Sequence, residues 1–216
     1  MEDTQFIKTE FFFFGAGGFS REIASWYQDS DFSKKYIPMG YIDDNPNALN
    51  NIENKYKIVD TITDGVVWIG KSVVMGIASC EVKERLFVEL QETKVSLLNF
   101  KHDTVLIGQD TYFGEGYVLC PNVIVSCNVK VGHLISVNSG SQIGHDVTIG
   151  NFTSIMANVD IGGGATIGNN VFIGSNAVIL PGVKIPDNTR IGAGSVVIKS
   201  IKQAGTYFGV PAKKIF

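Results

Sequence analysis

Large apolar residues recur at every sixth position through the second half of the chain. The sixteen positions are Ile107, Phe113, Leu119, Val125, Val131, Val137, Ile143, Ile149, Ile155, Ile161, Ile167, Ile173, Ile179, Ile185, Ile191 and Val197. Glycine follows directly at nine of them, namely Gly108, Gly114, Gly132, Gly144, Gly150, Gly162, Gly168, Gly174 and Gly192. Neither an α-helix nor a flat strand has a period of six. A six-residue unit predicts one short strand plus a corner, with three units closing one coil of a parallel β-helix.

In such a coil the aliphatic side chains point inward, and the glycines are expected to allow the bends. Coils stack at the spacing of β-strands, about 4.8 Å, so each inward residue lies over the equivalent residue of the next coil. Each buried Ile or Val contributes roughly 1.5–3 kcal/mol before chain entropy is subtracted. We therefore expect an unbroken apolar ladder to hold the solenoid together.

The first hundred residues have a different pattern, in which short apolar segments alternate with helical ones. The predicted elements are a strand at Phe11–Phe14, a glycine turn at Gly15–Gly18, a helix at Ser20–Gln28, a strand ending at Tyr41–Asp44, a strand at Val73–Ile77 and a helix at Val82–Leu90. Strands alternating with helices predict a small, mostly parallel, Rossmann-like α/β sheet. We place the boundary near 100–104, which divides the chain into an α/β domain at 1–103 and an all-β domain at 104–216.

Composition and charge narrow the classes of function. The chain has 216 residues, 44% of them hydrophobic and 18% charged, as in ordinary soluble globular proteins. Its net charge of −3 comes without a basic block, so we expect neither a nucleic-acid partner nor docking to anionic membranes. The apolar run Phe11–Phe14 is too short for a signal segment or a membrane span. Three cysteines without a CxxC spacing fit a reducing cytoplasm, where we expect the protein to reside.

The glycine turn is the first candidate site. A GxGxxG turn binds phosphates because its glycines allow close approach and the following helix presents free N–H groups. Here Gly15 and Gly17 match the motif, whereas Ser20 stands at the third glycine position, and a purely structural turn is the alternative. Asp43 and Asp44 follow the second strand, where a carboxylate can bind a ribose or a base, and a solvated turn is the alternative.

The second candidate is His145, which follows Gly144 at a corner of the solenoid. A plain exposed histidine is the alternative. Gly163 lies eighteen residues later, so we predict that it stacks beside His145 on the same edge. A neutral imidazole is a good general base near pH 7, and a free backbone N–H beside it can bind an acyl oxygen. His133 occupies a different edge and is interpreted as structural or exposed.

Metal and nucleophile chemistry are not favoured. Zinc would require several ligands to converge, but His102, His133 and His145 are spread over different coils and edges, so we predict no metal site. A Ser-His-Asp mechanism lacks a nucleophile-elbow sequence. We assign no chemistry to His102.

Four segments together resemble a known family. They are the Gly15–Gly18 turn, the strand end Tyr41–Asp44, the hexapeptide array with Gly144-His145-Asp146-Val147, and the ending Phe208–Lys213. Across essentially the whole chain they resemble the bacterial nucleotide-amino-sugar N-acetyltransferases, and the sialic acid O-acetyltransferases share the same two-domain plan. The resemblance implies that the β-helix is left-handed and that the N-terminal domain binds a nucleotide sugar.

The resemblance also implies the partners and the residue roles. It implies a homotrimer with acetyl-CoA between neighbouring subunits as co-substrate, and an amine directed at the corner histidine. His145 would be the general base and Asp146 its orienting partner, Asn138 would lie near the reacting amine, and Gly163 would donate its N–H to the thioester carbonyl. The nucleotide-sugar pocket would be lined by Gly15, Gly17, Asp43, Asp44 and Gly76. Phe19 and Ser154 stand where some relatives have histidines.

The function implied is N-acetylation of a nucleotide-linked amino deoxy sugar by direct transfer in a ternary complex. An O-acetyltransferase acting on sialic acid or another hydroxyl is one alternative, and a non-catalytic β-helix scaffold is another. The nucleotide, the sugar, the acetylated position and the length of the acyl chain stay open.

Overall fold

The structure is a computed structural model that describes residues 8–63 and 70–216. Its described residues form a parallel α/β sheet followed by a three-sided parallel β-solenoid. The predicted combination of an α/β part and a β-helix is therefore confirmed.

The N-terminal part is a five-stranded sheet with helices. Its elements are β1 (Thr9–Phe14), α1 (Gly18–Trp26), a 3₁₀ turn (Tyr27–Asp29), α2 (Phe32–Lys35), β2 (Tyr36–Ile42), β3 (Ile58–Asp60), β4 (Ser72–Met75), α3 (Cys80–Gln91) and β5 (Ser96–Leu97). The strand order is β3-β2-β1-β4-β5, and every pair is parallel. Rossmann folds share this order, in which the first strand lies at the centre and ligands bind beyond the carboxyl ends of the strands.

The solenoid has three faces, each a sheet of short strands. The first face contains β6 (Phe100–Lys101), β9 (Val118–Leu119), β12 (Ser136–Val137), β15 (Ser154–Ile155), β18 (Phe172–Ile173), β21 (Arg190–Ile191), β23 (Thr206–Phe208) and β24 (Lys213–Lys214). The second contains β7 (Leu106–Ile107), β10 (Ile124–Val125), β13 (Gln142–Ile143), β16 (Asp160–Ile161), β19 (Val178–Ile179) and β22 (Val196–Val197). The third contains β8 (Tyr112–Phe113), β11 (Lys130–Val131), β14 (Thr148–Ile149), β17 (Thr166–Ile167) and β20 (Lys184–Ile185).

The apolar ladder fills the interior, with one exception at its start. From Leu119 onward the residues of the six-residue repeat are buried. Ile107, however, is 40% exposed, and Phe113 is only partly buried. Both lie in the first coil, at the end of the stack, so the repeat predicts the direction of a side chain better than it predicts burial.

The role predicted for the repeat glycines is wrong. None of the nine has a positive φ angle; the left-handed conformation is adopted two residues later, for example by Asp146 and Asn170. A β-carbon at Gly144 would lie 2.6 Å from the backbone nitrogen of Gly163. The glycines therefore provide clearance between adjacent coils, and Asn, Asp or Gly residues form the bends except at Leu134 and Phe152.

Helix α3 packs on the first face of the solenoid. Its Leu86 and Leu90 are buried in one cluster with Leu134 and Phe152, and the Phe87 ring lies 5.3 Å from the Phe152 ring. Leu134 and Phe152 have φ angles of 51° and 61°, which cost energy for side chains of this kind. Their burial under α3 offsets that cost and fixes the N-terminal sheet to the solenoid.

Candidate active site

The glycine turn links β1 to α1. Gly15 has a φ of 94°, and a β-carbon there would lie 2.8 Å from Ile77 Cγ1, so the chain itself requires this glycine. A β-carbon at Gly17 would meet nothing within 4 Å. Gly17 therefore leaves open space in front of the first N–H groups of α1, which is the geometry that an anion needs.

A cleft of about 360 Å³ opens at this turn. Its walls contain all five residues predicted to line the N-terminal site; the lining is Gly15, Gly17, Gly18, Phe19, Asp43, Asp44, Ile62, Gly76, Ile77, Ala78, Val82 and Arg85. The structure thus brings together residues from three segments that are far apart in the sequence. Phe19 is part of this wall.

Asp43 braces the glycine turn. Its Oδ2 accepts a hydrogen bond of 2.6 Å from the Ala16 amide, and its Oδ1 accepts one of 2.8 Å from the Asn45 amide. The carboxylate therefore fixes the turn to the end of β2, and a simple solvated turn does not describe it.

Asp44 holds a neighbouring loop. Its Oδ1 accepts hydrogen bonds of 2.7 Å and 2.8 Å from the amides of Ile62 and Thr63. Burial alone would raise the pKa of this carboxyl, but the hydrogen bonds from Thr63 and Ile62 outweigh it and hold the pKa below its ordinary value. Asp44 is thus an anion with a fixed position in the cleft wall.

Gly76 performs the packing that the third motif glycine would perform. A β-carbon at Gly76 would lie 2.5 Å from Ser20 Cβ, so the helix approaches the sheet closely at this point. In the GxGxxG motif the glycine that allows this close approach is on the helix. Here the glycine is Gly76, directly after β4, and the helix position is occupied by Ser20. Ser20 Oγ is buried and finds no hydrogen-bond partner among the described residues.

Sequence reasoning missed Arg85. It projects from α3 into the cleft wall and adds a positive charge beside Asp44, whose pKa it helps to lower. The sequence does not indicate that this arginine lies in the cleft wall, because its position depends on how α3 packs against the sheet and the solenoid.

His145 lies on the line of corners between the second and third faces, which we call the His145 edge; it carries Cys127, His145, Gly163 and Pro181. Nδ1 of His145 lies 2.7 Å from Oδ2 of Asp146, and Asn128 Nδ2 donates to Oδ1 of Asp146 at 3.2 Å. The hydrogen bonds from His145 and Asn128 hold the pKa of Asp146 below its ordinary value. An ionised Asp146 accepts a hydrogen bond from the N–H of Nδ1, so the proton stays on Nδ1 and Nε2 is the basic nitrogen.

Gly163 stacks beside His145, as the spacing predicts. A β-carbon at Gly163 would lie 2.6 Å from His145 Nε2, and the Gly163 amide donates to no atom of the described chain. The imidazole side chain is 65% exposed, so an accessible base lies next to a residue whose N–H has no partner within the described chain. A base and an N–H donor at such a site can assist acyl transfer, the first by accepting a proton and the second by donating to the carbonyl oxygen.

Asn138 lies elsewhere. It follows β12 at the corner between the first and second faces, and its Nδ2 lies 3.4 Å from Oε2 of Glu22 on α1. Within one copy Asn138 is therefore grouped with the N-terminal sheet. The His145 edge is opposite the first face, on which α3 packs, so one copy does not bring His145 to its own cleft.

The other histidines have structural contacts. His133 Nδ1 accepts a hydrogen bond of 3.1 Å from the Glu115 amide, and its ring lies 5.2 Å from that of Phe87. His102 is buried with Nδ1 2.9 Å from Thr104 Oγ1. Among the described residues no His, Cys, Asp and Glu side chains cluster in a way that can hold a metal ion. Within the same ranges, no helix has the length and apolarity needed to cross a bilayer.

Two family models match the chain. Residues 10–90 match the PglD N-terminal domain, and residues 164–199 match the bacterial transferase hexapeptide (six repeats). No curated protein matches the chain in sequence.

Several solved structures are similar along almost the whole chain. The acetyltransferase domain of PglB from Neisseria gonorrhoeae has 18% identity and a TM-score of 0.87, with 96% of this chain and 100% of that one covered. PerB from Caulobacter crescentus, solved with CoA and GDP-perosamine, has 21% identity and a TM-score of 0.77, with 94% and 96% covered. WeeI from Acinetobacter baumannii has 26% identity and a TM-score of 0.70, with 95% and 99% covered.

The two family matches fall on the two parts of the fold, the sheet that forms the cleft and the solenoid that carries the His145 edge. Residues 10–90 therefore carry the PglD type of N-terminal domain, and the solenoid carries repeats of the bacterial hexapeptide transferases. The family resemblance inferred from the sequence is confirmed.

Proposed function

We propose that this protein transfers the acetyl group of acetyl-CoA to the amine of a nucleotide-linked amino deoxy sugar. The observation that carries the proposal is the His145–Asp146 pair with the free Gly163 amide beside Nε2. The similar structures support the choice of substrates, since one PglB acetyltransferase domain was solved with acetyl-CoA and PerB was solved with CoA and GDP-perosamine.

The chemistry follows from these groups. The sugar amine attacks the thioester carbonyl while Nε2 of His145 accepts its proton, a form of assistance that contributes about 10²–10⁴-fold. The Gly163 N–H donates to the oxygen on which negative charge develops. The carbon–sulfur bond then breaks, and CoA leaves as the thiol after taking the proton back from His145. The step needs no covalent enzyme intermediate.

The cleft at the glycine turn suits the nucleotide sugar. The N-terminus of α1 and Arg85 favour a diphosphate, and the open space at Gly17 gives it room. Both carboxylate oxygens of Asp43 accept hydrogen bonds from backbone amides of the chain. We therefore propose that Asp43 holds the glycine turn in place next to the ligand and also forms part of the cleft wall.

The site is completed by a second copy of the chain. Because the His145 edge is opposite the face that carries the cleft, the amine held by one copy reaches His145 of a neighbour in a homotrimer. Acetyl-CoA would lie along the His145 edge between the two copies. Lys199 follows β22 at the end of this edge, three coils beyond His145, where a cation can meet a phosphate of CoA.

The test is CoA-thiol release from acetyl-CoA with UDP-, GDP- and dTDP-linked 3-amino and 4-amino sugars, and with sialic acid and serine as hydroxyl acceptors. We expect turnover with one amino sugar, a fall of at least about 10²-fold in His145→Ala, and retained turnover in His133→Asn. Turnover with a hydroxyl acceptor alone would replace the proposal by O-acetylation. Full turnover in His145→Ala would show that His145 is not the general base. Failure of the protein to bind acetyl-CoA would favour a non-catalytic scaffold.

A further inference from the structure

Lys83 lies in the interface between α3 and the first face, and its side chain is fully buried. The amine lies 2.7 Å from Ser154 Oγ, 3.1 Å from the Thr153 carbonyl oxygen and 3.4 Å from Ser136 Oγ. These three partners are neutral oxygens of the solenoid. A lysine from the N-terminal part is thus hydrogen-bonded to two adjacent strands of the solenoid, β12 and β15, and to the residue that precedes β15.

Ser154 extends this contact to the cleft. Its Oγ donates a hydrogen bond of 2.7 Å to the carbonyl oxygen of Ala78, which lines the cleft. Because the Ser154 proton is used in that bond, its oxygen accepts from Lys83. The result is a continuous path from the solenoid through Ser154 to Ala78, and through Lys83 to α3.

Apolar packing does not explain the lysine. One turn later on the same helix face, Leu86 fills the interface without a polar group. Burying an amine costs free energy that only well-formed hydrogen bonds offset, whereas leucine or methionine would fill similar volume without that cost. Burial indeed lowers the pKa of Lys83 to about 7, and nearby Cys80 opposes this shift. What the lysine adds is a set of directed hydrogen bonds that fix the position of α3 relative to the first face of the solenoid.

We propose that Lys83 is a positioning residue that fixes the cleft wall at residues 76–85 to the first face of the solenoid. In this way it sets where a nucleotide sugar is held relative to the solenoid during transfer. This second part rests on the proposed function, whereas the fixing of the wall does not.

The test is amide hydrogen exchange of the full chain in wild type, Lys83→Met and Ser154→Ala, with the exposed change Glu81→Gln on the same helix as control. We expect exchange at residues 76–80 to accelerate by about tenfold or more in the first two variants. The control and the amides around His145 should stay as in wild type. If Lys83→Met does not fold, Ser154→Ala carries the test, because it removes the path to Ala78 and leaves a small residue on the strand.

A second measurement separates the two parts of the proposal. UDP, GDP and dTDP are titrated into each protein by calorimetry, and KM values are measured for the acceptor and for acetyl-CoA. We expect the affinity for the nucleotide to fall by about tenfold in Lys83→Met, whereas the KM for acetyl-CoA should stay within about twofold of wild type. Unchanged exchange at 76–80 in both variants would overturn the positioning role. Accelerated exchange without nucleotide binding in wild type would overturn the proposed acceptor and leave the positioning of the wall in place.

Discussion

Gly163 stands one coil beyond His145, and a β-carbon there would lie 2.6 Å from Nε2 of the imidazole. The substitution Gly163→Ala therefore places a methyl group where the base must meet the amine. We expect turnover to fall by about 10²-fold with the fold intact, because the reacting atoms lose their alignment. Steady-state kinetics with circular dichroism checks this.

The matched control is Cys127→Ala, one coil from His145 in the other direction on the same edge. We expect it to keep turnover within about threefold of wild type. A Gly163→Ala enzyme as active as this control would argue against chemistry at Nε2.

Asp146 combines a backbone role with a chemical one. Its φ of 60° is a conformation that asparagine also adopts, so Asp146→Asn should fold normally. The amide has no negative charge to hold the proton on Nδ1, and we expect turnover to fall by about tenfold or more. Asn128→Gly, which removes only the second hydrogen bond to Asp146, should cost less. Equal rates for Asp146→Asn and wild type would assign the aspartate a purely structural role.

The contact between Gly76 and Ser20 predicts a compensating pair. In Gly76→Ala the new methyl would overlap Ser20, and we expect the free energy of unfolding to fall by about 1–3 kcal/mol. Adding Ser20→Gly removes the side chain on the helix that the new methyl group would overlap. The double variant should therefore recover part of the lost stability. Urea unfolding of the two single variants and the double variant measures the coupling. Strict additivity would mean that the close approach is relieved elsewhere.

Lys83 predicts a pH dependence of stability. Burial lowers its pKa from 10.5 to about 7 in the folded chain. Between these values the unfolded chain holds a proton that the folded chain has lost, so stability rises as the pH is raised through this window, by up to about 1.4 kcal/mol per pH unit. Below pH 7 both states are protonated and the penalty is complete.

The measurement is urea unfolding of wild type and Lys83→Met from pH 6 to pH 9. Because groups that do not interact with Lys83 titrate equally in both proteins, the difference between them isolates Lys83 and its neighbour Cys80. We expect the wild type to gain stability relative to Lys83→Met between pH 7 and pH 9. Parallel pH profiles would show that the amine is as readily protonated in the folded chain as in the unfolded one.

The solenoid is predictable from the sequence because each coil repeats the same local geometry. A residue such as Ile143 pairs with Ile161 in the next coil, so the six-residue period alone defines the register and places Gly163 beside His145. The same logic fails at the ends, where Ile107 is exposed, and for the glycines, whose function depends on the next coil and not on their own φ angle.

The parts that the sequence does not predict are the contacts between distant segments. Lys83 meets Ser136 and Ser154 across 53 and 71 residues, and no local pattern indicates that pairing. The exchange of roles between Ser20 and Gly76 is equally hidden, since it depends on how closely α1 approaches β4. Asn138 is predicted to lie near the reacting amine, but within one copy its side chain contacts Glu22.

We propose that His145 of one copy acts on a sugar held in the cleft of another. This proposal is tested by mixing His145→Ala with Gly17→Trp, which fills the cleft at a position where the chain itself has room. Each variant alone should be inactive. After dissociation and reassembly of equal amounts, we expect CoA-thiol release at about a quarter of the wild-type rate, because a head-to-tail ring pairs an intact cleft with an intact His145 at that fraction of interfaces. Mixed oligomers as inactive as their parents would contradict a site shared between two copies.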